Sequence, residues 1–164
     1  IRVGNQKGLK NYKELRRIAF SLFLLGVLLA IFFALLFFIF HKSLPNIYVD
    51  LSDASNYADN MEVISIASKL LIAAAFFQIS DSLQVVVLGA LRGLQDVKIP
   101  TILTFISYWV VGFPVSYFLG KEEMYGSFGI WLGLLAGLTT ASILLFIRFN
   151  SLTLKLIKQK HVLT

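Results

Sequence analysis

Four long apolar runs, separated by polar and charged segments, make up most of the chain. They cover residues 19–40, 63–91, 99–119 and 128–147. A helix needs about 20 apolar residues to cross the hydrocarbon core of a bilayer, and each run reaches that length. The pattern therefore predicts an all-α membrane protein with four transmembrane helices.

Composition supports a polytopic membrane protein. The chain has 164 residues, of which 57% are hydrophobic, whereas soluble domains are nearer about 45–50%. There are no cysteines, which excludes a disulfide framework and cysteine metal ligands. The chain opens at Ile1 in a polar, basic stretch rather than at a methionine. We interpret it as the C-terminal portion of a longer protein.

The charges predict the orientation of the helices. Twelve of the 15 Lys and Arg residues fall in segments 1–18, 92–98 and 148–164. Cytoplasmic segments are enriched in these residues, so the net charge of +6 indicates topology rather than nucleic-acid binding. We expect a cell (inner) membrane protein with both ends cytoplasmic, a basic segment 1–18, a loop 92–98 and a tail 148–164 inside. Segments 41–62 and 120–127 are then external, and they hold the acids Asp50, Asp53, Asp59, Glu62, Glu122 and Glu123.

Asp81 is the candidate functional residue. It is the only charge in the stretch Leu70 to Leu91, which places it near the middle of the second helix. A carboxylate at that depth costs at least about 2.5–3.5 kcal/mol, so it is expected to have a partner or a function. A cation, with Na+ as the metal candidate, or a proton is the simplest partner. A site that exchanges such an ion for an organic cation is typical of an antiporter.

Other polar groups share the surroundings of Asp81. Gln78, Asp81 and Gln84 are three residues apart and lie on one helix face, with Phe77 one turn before Asp81. Lipid cannot satisfy such a stripe, so it must face protein or water. In the functional interpretation the glutamines tune the ion site and Phe77 offers an aromatic face to a cationic ligand. In the alternative, Asp81 is a protonated, hydrogen-bonded packing residue and the glutamines only pack.

The third helix contains Tyr108 and Trp109 near its centre, followed by Pro114. A proline inside a helix removes a backbone hydrogen bond and predicts a kink. Interrupted helices often lie near the binding sites of transporters. The two aromatic residues are therefore candidates for a cavity wall, with plain helix packing as an equal alternative.

The fourth helix carries Gly129, Gly133 and Gly137 at spacing four, which predicts a tight helix-packing seam. In the loop after the second helix, Gly93 is predicted to act as a helix C-cap. No catalytic triad, phosphate-binding loop or zinc-ligand spacing is present. The sequence therefore predicts neither an enzyme nor a bound cofactor.

The segment 77–96, FQISDSLQVVVLGALRGLQD, resembles the tenth helix and following loop of the multidrug and toxic compound extrusion (MATE) transporters, NorM-like branch. Three further pieces agree in order with this family. They are IRVG at 1–4 with Gly8, SYW at 107–109 with GFP at 112–114, and GIWLG at 129–133.

This resemblance implies that the four helices are the last four of a twelve-helix transporter with two six-helix lobes. It implies export of cationic amphipathic compounds in exchange for Na+ or H+, with the bilayer and the N-terminal lobe as partners. Asp81 matches the family's cation-site aspartate, whereas Phe77 stands where some members have a tyrosine, which removes one oxygen ligand. The remaining alternatives are a related flippase for lipid-linked saccharides and a non-transporting membrane scaffold.

Overall fold

A computed structural model describes residues 1–49, 57–121 and 123–162. Residues 50–56, Glu122 and residues 163–164 lie outside the described residues. The predicted loops 41–62 and 120–127 and the predicted tail are therefore described only in part, and the acids Asp50, Asp53 and Glu122 are not described.

The described residues are helical, without strands, which confirms the predicted all-α fold. The helices are α1 (Arg2–Gly8), α2 (Tyr12–Phe40), α3 (Tyr57–Gly93), α4 (Lys98–Ile106), α5 (Phe113–Leu119) and α6 (Gly126–Val162). A short 3₁₀ turn covers Pro45–Ile47, and a π-helical turn at Ser107–Gly112 joins α4 to α5. Four spans are long and apolar enough to cross a membrane: α2, α3, α6 and the continuous stretch Lys98–Leu119.

The helices extend beyond the apolar runs. Helix α2 begins at Tyr12, where the Asn11 side chain accepts a hydrogen bond from the Glu14 backbone N–H as an N-cap. Helix α6 continues through the basic segment to Val162. Hydropathy marks only the part of a helix that matches lipid, whereas backbone hydrogen bonds continue into the polar flanks. The helix limits therefore differ from the predicted span limits.

Helix α3 packs between α2 and α6, and α6 also packs against the π turn and α5. The main hydrophobic core lies at the end of the bundle where α1 and the loop 94–97 meet. It consists of Val3, Leu15, Ala19, Phe23, Val87, Ala90, Leu91, Leu94, Leu145 and Phe149. Within it, Phe23 and Phe149 stack edge to face with ring centroids 5.1 Å apart.

Exposed apolar side chains cover the outer surface of α2. Leu28 is 55% exposed and Phe32 is 56% exposed. A continuous apolar surface of this kind would be unfavourable in water but suits contact with lipid chains. The surface pattern therefore agrees with a membrane-spanning bundle.

Helix α3 ends at Gly93, but Gly93 is not the left-handed residue predicted by a glycine C-cap. That conformation belongs to Gln95, with φ of 59°. The Gln95 N–H donates to the Arg92 carbonyl (2.9 Å) and the Asp96 N–H to the Leu91 carbonyl (3.0 Å), which is a Schellman motif. Gly93 instead allows α1 to approach, because a Cβ there would lie 3.2 Å from the Gly4 nitrogen.

Polar contacts fasten the same end of the bundle. The Lys7 ammonium donates to the Leu94 carbonyl at 2.7 Å. Arg148 of α6 forms an ion pair with Asp96, with 2.8 Å between Nε and Oδ2. Arg16 of α2 donates to the Thr153 hydroxyl of α6 at 2.7 Å. The loop after α3 is thus held by α1 on one side and by α6 on the other.

Candidate functional site

Asp81 lies on α3, and its side chain is exposed. It makes no hydrogen bond and no ion pair with any residue that the structure describes. The packing alternative, in which Asp81 is hydrogen-bonded within the bundle, has no such bond among these helices. A partner for the carboxylate must therefore come from outside the described helices.

The exposed position of Asp81 belongs to a longer open face of α3. Val85, Gly89 and Arg92 follow Asp81 at helical spacing and are exposed, with Val85 at 58%. By contrast, Val87 and Leu91 are fully buried against α2 and α6. The face that carries Asp81 is therefore the one that the described helices leave uncovered.

The serines beside Asp81 bond to neighbouring helices. Ser80 Oγ shares a hydrogen bond of 2.9 Å with Thr139 Oγ1 of α6. Ser142 of α6 donates to the Ser80 carbonyl oxygen at 2.7 Å. Ser82 donates to the Gly26 carbonyl of α2 at 2.9 Å. These hydroxyls connect α3 to both of its neighbours at the depth of Asp81.

Two of the predicted neighbours on α3, Gln84 and Phe77, contact aromatic residues of other spans. The Tyr108 hydroxyl lies 3.4 Å from Gln84 Oε1, to which it donates a long hydrogen bond. Asp81 is close enough to act electrostatically on Tyr108. Phe77 packs edge to face on Trp131 of α6, with ring centroids 5.8 Å apart. Aromatic residues of the third span and of α6 therefore contact α3 within one turn of Asp81 in sequence, at Gln84 and Phe77.

The remaining predicted neighbours are placed differently. Gln78 is half-buried and has no side-chain hydrogen bond with another described residue. Trp109 is 59% exposed and stacks on Phe105 and Phe113 of its own span, each at 5.8 Å. Trp109 and Tyr108 line an apolar groove of about 410 Å³ between this span and α6.

The π-helical turn ends directly before Phe113 and Pro114. Pro114 has no N–H to donate to the carbonyl of Val110, which lies within the turn. A turn with one extra residue accommodates such a break, and turns of this type are frequent at functional sites. A bend at Pro114 itself stays a prediction.

The glycines of α6 lie directly on the third span. A Cβ at Gly129 would overlap the Leu119 carbonyl, and a Cβ at Gly133 would overlap the backbone of Ser116. A Cβ at Gly137 would lie 2.9 Å from the Gly112 Cα. At these three positions the two helices approach closely enough that only glycine fits.

The residues around Asp81 supply oxygen atoms suited to a hard cation, namely one carboxylate and two amide oxygens. Hard cations such as Ca²⁺ or Mg²⁺ take about six or more oxygen ligands. No cluster of three or more His, Cys, Asp or Glu side chains occurs in the part of the chain that the structure describes. A complete ligand set for a metal cation would require further oxygen atoms.

Sequence reasoning did not identify Thr139 and Ser142 as partners of Ser80, or Trp131 as a partner of Phe77. Thr139 and Ser142 are three residues apart on the face of α6 that also buries Leu138 and Leu145. The sequence signal that could have indicated a polar contact between helices was the pair of hydroxyl residues on the buried face of an apolar helix. Its partners could not be named without knowing which helix packs there.

Comparisons with known proteins agree on one family. The family described as MatE matches residues 1–118. The multidrug resistance proteins MdtK of Proteus mirabilis (strain HI4320) and NorM of Aliivibrio fischeri (strain ATCC 700601 / ES114) are 37% and 38% identical over 149 and 152 residues. A probable multidrug resistance protein NorM of Bacillus subtilis (strain 168) is 34% identical over 166 residues.

These alignments cover 88%, 90% and 99% of this chain, but only 31%, 31% and 34% of the relatives. The chain therefore spans about a third of the length of the relatives that it matches.

Proposed function

Because this chain belongs to the MatE family, as its sequence motifs predict, we propose that it is part of a multidrug exporter coupled to a cation, either Na+ or H+. Family membership makes it a multi-pass membrane protein and not an enzyme. The proposed activity is that of the whole transporter, with the parts of its relatives that this chain does not span contributing to it. The proposed location is the inner membrane, with both ends of the chain cytoplasmic.

The observation that carries the proposal is the unpaired carboxylate of Asp81 on the open face of α3. An ionised carboxylate in a membrane helix is too costly to leave without a partner. The described helices give it none, although they bond the hydroxyls on both sides of it. A cation that arrives from the open face would stabilise the carboxylate.

The proposed substrates are cationic amphipathic compounds. The relatives are named as multidrug resistance proteins, which supports a broad range of substrates. A cationic compound and the coupling ion would compete for the same carboxylate, so that one displaces the other. The Phe77 and Trp131 rings, one turn from Asp81, offer faces that attract an organic cation.

Efflux of ethidium from cells that carry the intact parent transporter tests this proposal. The variant is Asp81→Asn, which keeps the shape of the side chain but removes its charge. Asp59→Asn is the matched control, because it makes the same change in the first turn of α3, far from the centre of the helix. Sodium and pH gradients are imposed separately, with protein levels matched.

We expect Asp81→Asn to abolish gradient-driven efflux and Asp59→Asn to retain it. The gradient that drives the wild type identifies the coupling ion. Equal efflux by wild type and Asp81→Asn would contradict the assignment of Asp81 as the coupling residue. Absence of efflux by the wild type would favour a flippase or a scaffold instead.

A further inference from the structure

Ser80 and Ser82 tie α3 to two different helices on either side of Asp81. Successive residues of an α-helix are about 100° apart around its axis, so the two serines flank the carboxylate. Ser82 bonds to a backbone carbonyl of α2, whereas Ser80 bonds to side chains of α6. Together these contacts fix the rotation of α3 at the level of Asp81.

The connection to α6 is the stronger of the two, because two hydroxyls meet at Ser80. Thr139 reaches its side chain at 2.9 Å and Ser142 its carbonyl oxygen at 2.7 Å. Ser142 is 2% exposed, and its one hydroxyl hydrogen is shared between the Ser80 carbonyl and the Leu138 carbonyl of its own helix, which lies 2.9 Å away. Both bonds act on the residue directly before Asp81, and a rotation of α3 would break them.

We propose that Thr139 and Ser142 are positioning residues for Asp81. Their bonds to Ser80 hold the carboxylate on the open face of α3, in the orientation in which it takes up the coupling cation. This inference rests on the proposed function, because it concerns the same carboxylate. It adds α6 to the helices that determine how strongly the ion binds.

Thr140 provides a matched control in the next position. Its hydroxyl donates to the Ala136 carbonyl of its own helix at 2.8 Å and makes no bond to α3. Valine has the shape of threonine without the hydroxyl. Thr139→Val and Thr140→Val therefore make the same chemical change on one helix, but only the first removes a contact with Ser80.

The experiment uses the intact parent transporter in vesicles. Two quantities are measured for each variant: the concentration of coupling ion that gives half-maximal ethidium export, and the KM for ethidium at saturating ion. We expect Thr139→Val to raise the half-maximal ion concentration about two- to tenfold, the effect of one lost hydrogen bond. The KM for ethidium, whose cation binds the same carboxylate, is expected to rise as well. Thr139→Ser, which keeps a hydroxyl, restores the wild-type ion dependence.

Equal ion dependence in Thr139→Val and Thr140→Val would overturn the inference. The inference would also be overturned if Thr139→Val changed both the ion dependence and the KM for ethidium and Thr139→Ser did not restore them. Such a result would indicate that Thr139 only contributes to helix packing. If Thr139→Val does not accumulate, Ser142→Ala is measured in the same way, and an unchanged ion dependence in that variant would overturn the inference.

Asp81→Asn separates this inference from the proposed function. If that variant loses export while Thr139→Val behaves like wild type, only the positioning role is wrong. If Asp81→Asn exports normally, the coupling role of Asp81 is wrong and the positioning role falls with it.

Discussion

Replacing Gly133 with alanine is expected to force α6 away from α5. A Cβ built at Gly133 would overlap the nitrogen, the Cα and the Oγ of Ser116. Two of these atoms belong to the backbone, so no change of side-chain rotamer relieves the overlap. The helices can accept the methyl group only by separating or tilting.

The size of the effect follows from three contributions. Forcing an extra methyl group into a packed contact costs about 1–3 kcal/mol. Separation also weakens the bond from the Ser116 hydroxyl to the Ile130 carbonyl, 3.1 Å long, and such bonds in membrane proteins average about 0.6 kcal/mol. Alanine recovers about 0.5–1 kcal/mol because it restricts the unfolded chain more than glycine does. The net expectation is a loss of about 0.5–3 kcal/mol.

The assay is the thermal stability of the intact parent transporter in detergent, followed by the monodisperse fraction after heating. Gly89→Ala is the control, since no atom of another described helix lies within 4 Å of a Cβ at Gly89, in the last turns of α3. We expect Gly133→Ala to lower the midpoint temperature by about 1–3 °C and Gly89→Ala not to lower it. Gly133→Leu is expected to prevent assembly. A Gly133→Ala protein as stable as Gly89→Ala would refute the close contact of α5 and α6.

Two further substitutions test the end of the bundle near α1, with the same thermal assay. Gln95→Gly is expected to stabilise the protein by up to about 1 kcal/mol. The left-handed conformation costs glutamine about 1–2 kcal/mol, which exceeds the roughly 0.5–1 kcal/mol of extra chain entropy that glycine loses, and the lost bond from Lys7 to Gln95 Oε1 is exposed; a lower midpoint would argue against that conformation. Arg148→Gln is expected to destabilise it by about 1 kcal/mol, since Asp96 is only 13% exposed and loses its ion-pair partner. Arg17→Gln, at an exposed position, is the control, and equal effects of the two arginine variants would contradict the ion pair.

The sequence predicted four membrane-spanning segments and their helical structure, because lipid imposes a strong and local constraint. Every backbone polar group in the hydrocarbon core must be bonded within its own segment, so an apolar run of sufficient length has to be a helix. The residues at which the helices begin and end were harder to predict from the sequence. Helix α6 continues from the apolar run to Val162 through lysines that a hydropathy pattern assigns to a tail. Helix continuation there depends on backbone bonding and on packing, not on hydropathy.

The site was partly predictable for a related reason. A single charge among apolar residues identifies Asp81 without knowledge of the fold, because its cost depends only on depth. Its surroundings depend on which helices meet and on their rotation. Thr139 and Thr140 are adjacent and chemically identical, yet one bonds to Ser80 and the other to its own helix. No local pattern separates these two outcomes.

The polar side chains of α3 can be compared by the partners that they find. Ser80, Ser82 and Gln84 each bond to a different neighbouring span, so these polar side chains of α3 hold the helices together. If Asp81 served packing as well, it too would be expected to point at one of these spans. It lies instead on the open face, with no described partner. Since the neighbouring hydroxyls show that the bundle can satisfy polar groups at this depth, the open face leaves the carboxylate available to the proposed cation. The efflux of Asp81→Asn tests whether that cation, and not a residue of the part of the transporter that this chain does not span, is its partner.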